Sequence, residues 1–204
     1  MLLIGLTGSI GMGKSTIVQR FRYNGVPVID ADALVHELYA GAAVAPIEAA
    51  FPGVTIKGAI DRQRLSQRLL ADSAAFKILE RIVHPLVQSA ERKALHAARA
   101  LGATMAVLEV PLLFETGGDA RVDLTVVVSA PAEIQRARVL TRSGMTDAKL
   151  DAILQRQMSD VEKRARCDYV VDTGGEISAS EAQVDAIIVQ LHGRSGDAFE
   201  RYWA

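Results

Sequence analysis

The chain has 204 residues, half of them hydrophobic, and a formal net charge of −1. This length predicts one domain, spanning residues 1–204, that can bury a full hydrophobic core. The nearly neutral charge argues against broad nucleic-acid binding, which usually shows as a strongly basic balance. Because the hydrophobic residues form short runs and no stretch of about eighteen, we predict no membrane-spanning helix and no membrane partner.

Cysteine content and the N-terminal residues indicate the cellular compartment. A single cysteine, Cys167, cannot form an internal disulfide and has no nearby metal ligands in the sequence. The chain opens on an apolar run without the basic region and cleavage site of a secretory signal. We therefore expect a cytoplasmic protein in a reducing compartment, with no obligate protein partner evident.

The opening apolar run leads into a glycine-rich segment. Residues 8–15 fit the pattern Gly-x-x-x-x-Gly-Lys-[Ser/Thr], with Gly8, Gly13, Lys14 and Ser15 at its defined positions. The order of strand, loop and helix is the context that a phosphate-binding loop needs. The alternative, a glycine-rich turn that binds nothing, is the weaker hypothesis because every position of the pattern is filled.

The residue types in this loop suit a polyphosphate. Glycines at 8, 11 and 13 let consecutive backbone N–H groups approach phosphate oxygens and permit positive φ. The helix that begins near Lys14 directs its N–H groups and the positive end of its dipole at the same oxygens. Lys14 adds a full charge, Ser15 is placed to give its hydroxyl to Mg²⁺, and we expect Thr16 to face the α-phosphate.

Two carboxylates follow the second predicted strand. The first helix should end near Gly25, which suits the left-handed cap position, and residues 26–29 form a short apolar strand. This strand delivers Asp30 and Asp32 to its carboxyl end, where ligands bind in open parallel sheets. For either aspartate, more so for Asp30, capping of the next helix is the alternative role.

A long insertion separates these carboxylates from the third strand. Residues 33–102 have a mostly helical pattern, with a long helix predicted to begin close to Pro85. Since proline disfavours helix just before it, His84 is expected at a break between helices, exposed to a cleft. A structural hydrogen-bonding role for His84 stays open beside a functional one.

The second half of the chain alternates strands and helices. Strands are predicted at 105–110, 124–128 and 169–171, with helices opening at Pro131 and near Asp147 and a final helix at 178–191. This alternation predicts an α/β fold with a doubly wound parallel sheet. Arg136, Arg138 and Arg142 concentrate positive charge on one helix, which is either an ordinary solvated face or the arginine-bearing lid of a kinase.

A phosphate loop leaves two classes of protein open, a small-molecule kinase and a GTP-switched binding protein. Residues 172–175 imitate the Asp-x-x-Gly switch, and residues 148–151 come within one residue of the Asn-Lys-x-Asp guanine reader. Their order along the chain is reversed for a GTPase, and Lys149 lies in a helical pattern. The acidic pair and the arginine-rich segment favour a kinase.

The combined motifs resemble the dephospho-coenzyme A kinase family along nearly the whole chain. Other small-molecule kinases would share the phosphate loop, whereas its combination with the later motifs, in this order, is specific to this family. Many members carry Arg where Ile153 stands and Asn where Thr173 stands, so the chain departs from the family there. The matching strings are residues 5–16, 28–32, 84–87, 110–115 and 135–142, and Gln157 with 162–164.

The resemblance implies an activity and an architecture. The activity is ATP-dependent phosphorylation of the ribose 3′-hydroxyl of dephospho-coenzyme A, giving coenzyme A and ADP in the last step of coenzyme A biosynthesis, with Mg²⁺ as cofactor. The architecture is a P-loop kinase sheet with a helical substrate-binding insertion at about 33–102, which holds the pantetheine arm, and a small arginine-bearing lid at about 135–165.

The resemblance also implies roles for individual residues. Asp32 would be the base that deprotonates the acceptor hydroxyl, with Thr7 and His84 as further substrate contacts. Asp30 would support Mg²⁺ through a bound water. Lys14, Arg138 and Arg142 would serve catalysis by closing on the phosphates. ATP would be bound by Gly11, Met12, Gly13, Lys14, Ser15 and Thr16.

Overall fold

The computed structural model describes residues 1–71 and 73–204, which form alternating strands and helices. The strands are β1 (Leu2–Thr7), β2 (Val28–Asp30), β3 (Thr55–Ile56), β4 (Ala59–Ile60), β5 (Met105–Glu109), β6 (Leu124–Ser129) and β7 (Tyr169–Asp172). The helices are α1 (Lys14–Tyr23), α2 (Ala31–Leu38), α3 (Val44–Ala50), α4 (Arg62–Ala71), α5 (Ser73–Ala100), α6 (Ala132–Leu140), α7 (Asp147–Leu154), α8 (Asp160–Arg166) and α9 (Ile177–Leu191). Among these described helices, none is long and apolar enough to cross a membrane.

Five strands form the central sheet in the order β2-β5-β1-β6-β7. Strand β1 pairs in parallel with β5 and β6, and β6 pairs in parallel with β7. Strands β1, β5 and β6 are buried along their whole length, as expected for central strands of a parallel sheet. The predicted parallel α/β fold is confirmed, and the carboxyl ends of β1, β5, β6 and β7 lie at one edge.

The chain divides into two compact units, residues 1–29 with 97–204, and residues 30–96. In the first unit, α1 and α9 pack against each other, and α8 packs against β6. One core there joins alternate apolar residues of β1 and β6 to the buried face of α1, for example Ile4, Val126 and Phe21. The sheet edge that carries the phosphate loop is therefore built on a rigid, fully buried strand.

The second unit has its own apolar core. Ile47 of α3 and Val54 are completely buried in it, and α4 and α5 pack against it through Leu65 and Val83. It also contains the antiparallel hairpin β3–β4, which the prediction of a mostly helical segment did not include. Two-residue strands are too short to show alternation, and the turn is made by Lys57 and Gly58, both at positive φ, as a tight hairpin requires.

Helix α5 corrects one prediction from the sequence. The long helix does not begin close to Pro85; it runs from Ser73 to Ala100 with Pro85 inside it, so His84 lies in mid-helix and not at a break. A proline there removes one backbone hydrogen bond. Val83 and Leu86, on either side of the proline, pack into the same core and hold the helix together across it.

The C-terminal segment is attached to the sheet through Asp123. Its carboxylate accepts hydrogen bonds from the backbone N–H groups of Leu3 and Ala198, each at 2.8 Å. Beyond it, the final turn Phe199–Trp203 is fixed by a bond from Trp203 Nε1 to the carbonyl of Arg121. One carboxylate thus ties the first strand to the end of the chain.

We predict that Asp123→Ala lowers the free energy of unfolding by about 1.5–3 kcal/mol, since hydrogen bonds to a charged group are lost and the Leu3 N–H is buried. Asp119→Ala is the matched control, because Asp119 forms a surface ion pair with Arg166 that should contribute at most about 1 kcal/mol. Urea denaturation measures both variants. Equal losses would contradict the anchoring role of Asp123.

Candidate functional site

The phosphate loop connects β1 to α1 with glycine wherever the backbone is crowded or left-handed. Gly11 and Gly13 have φ of 79° and 81°. A Cβ at Gly8 would lie 2.7 Å from the carbonyl oxygen of Val128. Gly13 is the N-cap of α1 and has no side chain that could occupy the helix terminus. The first N–H groups of α1 can therefore donate to an anion.

Side chains from distant parts of the chain fix the loop peptides. Gln135 of α6 donates to the carbonyl of Ile10 at 2.7 Å, and Gln157 accepts from the Ile10 N–H at 3.3 Å. Thr173 donates to the carbonyl of Met12 at 2.7 Å. These bonds hold the loop carbonyls away from the space that the helix N–H groups face, so the geometry suited to phosphate is built in advance.

Lys14 forms an ion pair with Glu109, with 2.5 Å between Nζ and the carboxylate oxygen. Glu109 is the last residue of β5, paired with Leu6 of β1, and its side chain is 10% exposed. A carboxylate this buried needs a partner, and the loop lysine supplies it. No sequence motif singles out Glu109; its one signal is a lone acidic residue at the end of an otherwise apolar strand.

The other loop residues fit a magnesium ion that arrives with a nucleotide. Ser15 is exposed in the first turn of α1. Within the described residues no group of three or more His, Cys, Asp or Glu side chains could hold a metal. Mg²⁺ usually takes one or two protein groups together with phosphates and waters, so a hydroxyl and a carboxylate, those of Ser15 and Glu109, are a suitable donor set.

Arg138 lies at the phosphate loop. Its guanidinium donates to the hydroxyl of Thr173 at 3.1 Å and to the carbonyl of the same residue at 2.6 Å. One of its nitrogens lies 3.5 Å from the position that a Cβ of Gly13 would take. Arg142 is exposed just beyond the end of α6. Arg136, in contrast, pairs with Asp147 and Asp151, which joins α6 to α7.

A buried lysine of α8 joins that helix to the segment that follows β5. Lys163 is completely buried, 3.0 Å from Glu115, and its Nζ also lies 3.4 Å from the carbonyl of Pro111. Glu115 accepts from the N–H of Met158 as well. Thr7, predicted to bind substrate, is fully buried and donates its hydroxyl to the same Pro111 carbonyl at 3.0 Å. Its direct contact with substrate stays a prediction.

Asp30 and Asp32 differ in their surroundings within the second unit. Asp30 is the N-cap of α2, where one carboxylate oxygen accepts from the N–H of Ala33 at 3.0 Å. Asp30 therefore caps helix α2, which was the alternative role considered for it. Its support of Mg²⁺ through a bound water stays a prediction. Asp32 is exposed in the first turn of α2, so its carboxylate faces solvent and can meet a ligand.

Asp32 lines a cavity of about 410 Å³ inside the second unit, a volume typical of small-molecule sites. Its walls are mixed: four lining residues are aliphatic, Leu65 and Leu69 among them, and four carry polar groups. Tyr39 and Arg62 add polar groups, and the guanidinium lies 5.6 Å from the ring centroid. Burial raises the pKa of the Tyr39 phenol, and the Arg62 charge opposes this, so the phenol is protonated at neutral pH and can donate.

His84 is exposed on α5, where it lines an open cleft with Lys77 and Arg81. Its predicted exposure to a cleft is confirmed, although its place in mid-helix differs from the prediction. Glu80 also lines this cleft, so its charge is mixed, with one acidic and two basic side chains. Binding of substrate by His84 stays a prediction.

Comparisons with known proteins agree along the chain. A family model described as dephospho-CoA kinase matches residues 2–179. A dephospho-CoA kinase of Mesorhizobium japonicum is 54% identical over 196 residues, which are 96% of this chain and 100% of that protein. The crystal structure of TT1252 from Thermus thermophilus superposes with a TM-score of 0.81 at 35% identity, covering 94% of this chain and 98% of that one. A dephospho-CoA kinase from Campylobacter jejuni shares the fold, with a TM-score of 0.70 at 24% identity over 93% and 96% of the two chains.

We predict that Gly11→Ala and Gly25→Ala each destabilise the protein by about 1–2 kcal/mol through their positive φ, and that Gly11→Ala loses more because its Cβ also meets buried side chains. Their effects on ATP should differ. A Cβ at Gly11 would lie 2.4 Å from Val139, whereas nothing lies within 4 Å of one at Gly25. Titration calorimetry should show ATP affinity reduced about tenfold or more for Gly11→Ala, since loop hydrogen bonds to phosphate are displaced. Unchanged affinity would contradict the role of the loop.

Proposed function

The chain belongs to the dephospho-CoA kinase family, and from this we propose that it transfers the γ-phosphoryl group of ATP to the ribose 3′-hydroxyl of dephospho-coenzyme A. The products are coenzyme A and ADP, and the reaction is the last step of coenzyme A biosynthesis. The observation that carries the proposal is the loop geometry, in which an Arg138 guanidinium nitrogen lies beside Gly13, the N-cap of α1, and Lys14 is the first residue of that helix.

The ATP phosphates bind along residues 11–16. The N–H groups at the start of α1 donate to the phosphate oxygens, and the helix dipole favours their negative charge. Lys14 shares its contact with Glu109 with a phosphate oxygen, since its ammonium group has three donors and the ion pair uses one of them. Thr16 lies two residues further, still within the first turn, and contributes to the α-phosphate contact.

Charge neutralisation is the main catalytic task, since phosphoryl transfer asks little covalent chemistry of the protein. Lys14, Arg138 and Arg142 supply positive charge to the phosphoryl group as it leaves ADP. Ser15 and Glu109 would hold Mg²⁺, Glu109 through a bound water, and Asp30 would add a further water contact through its second carboxylate oxygen. When bound, the ion neutralises charge on the β- and γ-phosphates.

Asp32 accepts the proton of the acceptor hydroxyl. As the new oxygen–phosphorus bond forms and the bond to the ADP oxygen breaks, this proton passes to the Asp32 carboxylate. The cavity that Asp32 lines, with its aliphatic and polar walls, suits the pantetheine arm of dephospho-coenzyme A, which has an apolar body with amide groups. Tyr39 and Arg62 supply donors for its polar groups, and Lys77, Arg81 and His84 offer further contacts for phosphate.

Asp32→Asn should lower kcat by roughly 10²–10⁴, the usual contribution of a general base, while ATP affinity stays unchanged. Asp30→Asn makes the same charge change two residues away, and asparagine caps a helix as well as aspartate does, so we expect a smaller loss of kcat there, through the magnesium contact alone. Steady-state kinetics and an ATP titration measure both variants. Loss of kcat in Asp30→Asn with kcat retained in Asp32→Asn would reverse the assignment.

The purified protein should form coenzyme A and ADP from ATP, Mg²⁺ and dephospho-coenzyme A, and Lys14→Ala should reduce kcat/KM by roughly 10²–10³ or more. Lys93→Ala, an exposed lysine on α5, should change activity by less than about twofold. Because Lys14→Ala leaves Glu109 without its ion-pair partner, circular dichroism accompanies the kinetics to show an intact fold. Near-normal turnover of Lys14→Ala would disprove the loop assignment.

A further inference from the structure

Thr173 connects three parts of the first unit with its backbone and one hydroxyl. It follows β7, and its N–H donates to the carbonyl of Ser129 at 2.8 Å, which extends the pairing with β6. The residue is 5% exposed. Its hydroxyl contacts both the carbonyl of Met12 in the phosphate loop and the guanidinium of Arg138. No motif in the sequence assigns a role to this residue.

The direction of each hydrogen bond follows from the groups involved. A guanidinium can only donate, so the Thr173 oxygen accepts from Arg138. The hydroxyl has one hydrogen to give, and the Met12 carbonyl at 2.7 Å is closer than the Ser129 carbonyl at 3.3 Å. Thr173 therefore acts as a bridge that accepts from the arginine on one side and donates to the loop on the other.

We propose that Thr173 is a positioning residue that holds the Arg138 guanidinium against the phosphate loop for binding of ATP. This inference rests on the proposed function, in which Arg138 serves the phosphates. An arginine has many rotamers in solution, and ordering it at the moment of binding would weaken the contact. Two bonds to one buried residue order it beforehand, beside the Gly13 backbone.

A purely structural role predicts a different pattern of effects. If Thr173 acted only by fixing the Met12 carbonyl, its removal would disturb the loop whether or not Arg138 is present. If it acts also through Arg138, its removal should matter less once the arginine is gone. The two roles can therefore be separated by combining the substitutions.

The test begins with Thr173→Val, which keeps the shape of the side chain and removes the hydroxyl. We expect kcat/KM for ATP to fall about tenfold, because a hydrogen bond to a charged group is lost while the bond to the Thr173 carbonyl remains. The KM for dephospho-coenzyme A should stay unchanged. Thr173→Ser, which retains the hydroxyl, should restore kcat/KM for ATP to near the wild-type value.

Thr141→Val is the matched control. The Thr141 hydroxyl also bonds to Arg138, but to its backbone carbonyl at 2.7 Å and not to its guanidinium. This variant should therefore retain wild-type kinetics. An equal loss in Thr141→Val and Thr173→Val would overturn the proposal, because it would show that any disturbance of α6 has the same result.

The decisive measurement is a double-mutant cycle with Arg138→Ala. We expect Thr173→Val to lower kcat/KM for ATP by a clearly smaller factor in the Arg138→Ala background than in the wild-type background, since only the bond to the Met12 carbonyl then remains to be lost. A tenfold loss in both backgrounds would overturn the proposal in favour of a loop-only role. If Thr173→Val fails to fold, Thr173→Ala enters the same cycle, with thermal denaturation as the check.

The cycle also separates this proposal from the proposed function. Full activity of Arg138→Ala alone would remove Arg138 from the phosphate site, and with it the premise of the proposal. A strong loss in Arg138→Ala with wild-type kinetics in Thr173→Val would leave the function of Arg138 intact and overturn the role of Thr173.

Discussion

A phosphate held by backbone N–H groups imposes a requirement on the carbonyls of the same segment. Each peptide of the loop that turns its N–H toward an anion turns its carbonyl the other way, and a buried carbonyl needs a donor. Gln135 and Thr173 provide those donors for Ile10 and Met12. The site thus depends on side chains from α6 and from the end of β7, far outside the glycine motif. The helices and strands of the first unit are arranged so that these donors reach the loop.

The charged side chains at the site also need partners. Lys14 and Glu109 are both largely buried, and each compensates the other. Such a pair adds little net stability, because desolvation offsets most of the attraction, yet it fixes a lysine amine at the end of β5 beside the loop. Arg138 is ordered by neutral oxygen atoms of Thr173, so its positive charge is not cancelled by a carboxylate there and stays available to phosphate.

Much of this organisation could be predicted from the sequence, because the signals are local. The phosphate loop, the start of α1, the left-handed Gly25 and the start of α7 at Asp147 each follow from a few adjacent residues. The continuation of α5 through Pro85 could not be predicted. Val83 and Leu86 pack into a core built from residues that are remote in the sequence, and this packing outweighs the tendency of proline to end a helix. The bridge at Thr173 was equally hidden, because its partner Met12 lies 161 positions away along the chain.

Lys163 has a consequence for the chemistry of lysines in this protein. Its amine is completely enclosed between Glu115 and the Pro111 carbonyl, whereas other lysines such as Lys93 and Lys149 are exposed. Acylating reagents need an uncharged, accessible amine, so they can modify Lys163 only after α8 has separated from the segment that follows β5. The rate at which this one lysine becomes labelled therefore measures how often α8 detaches in solution.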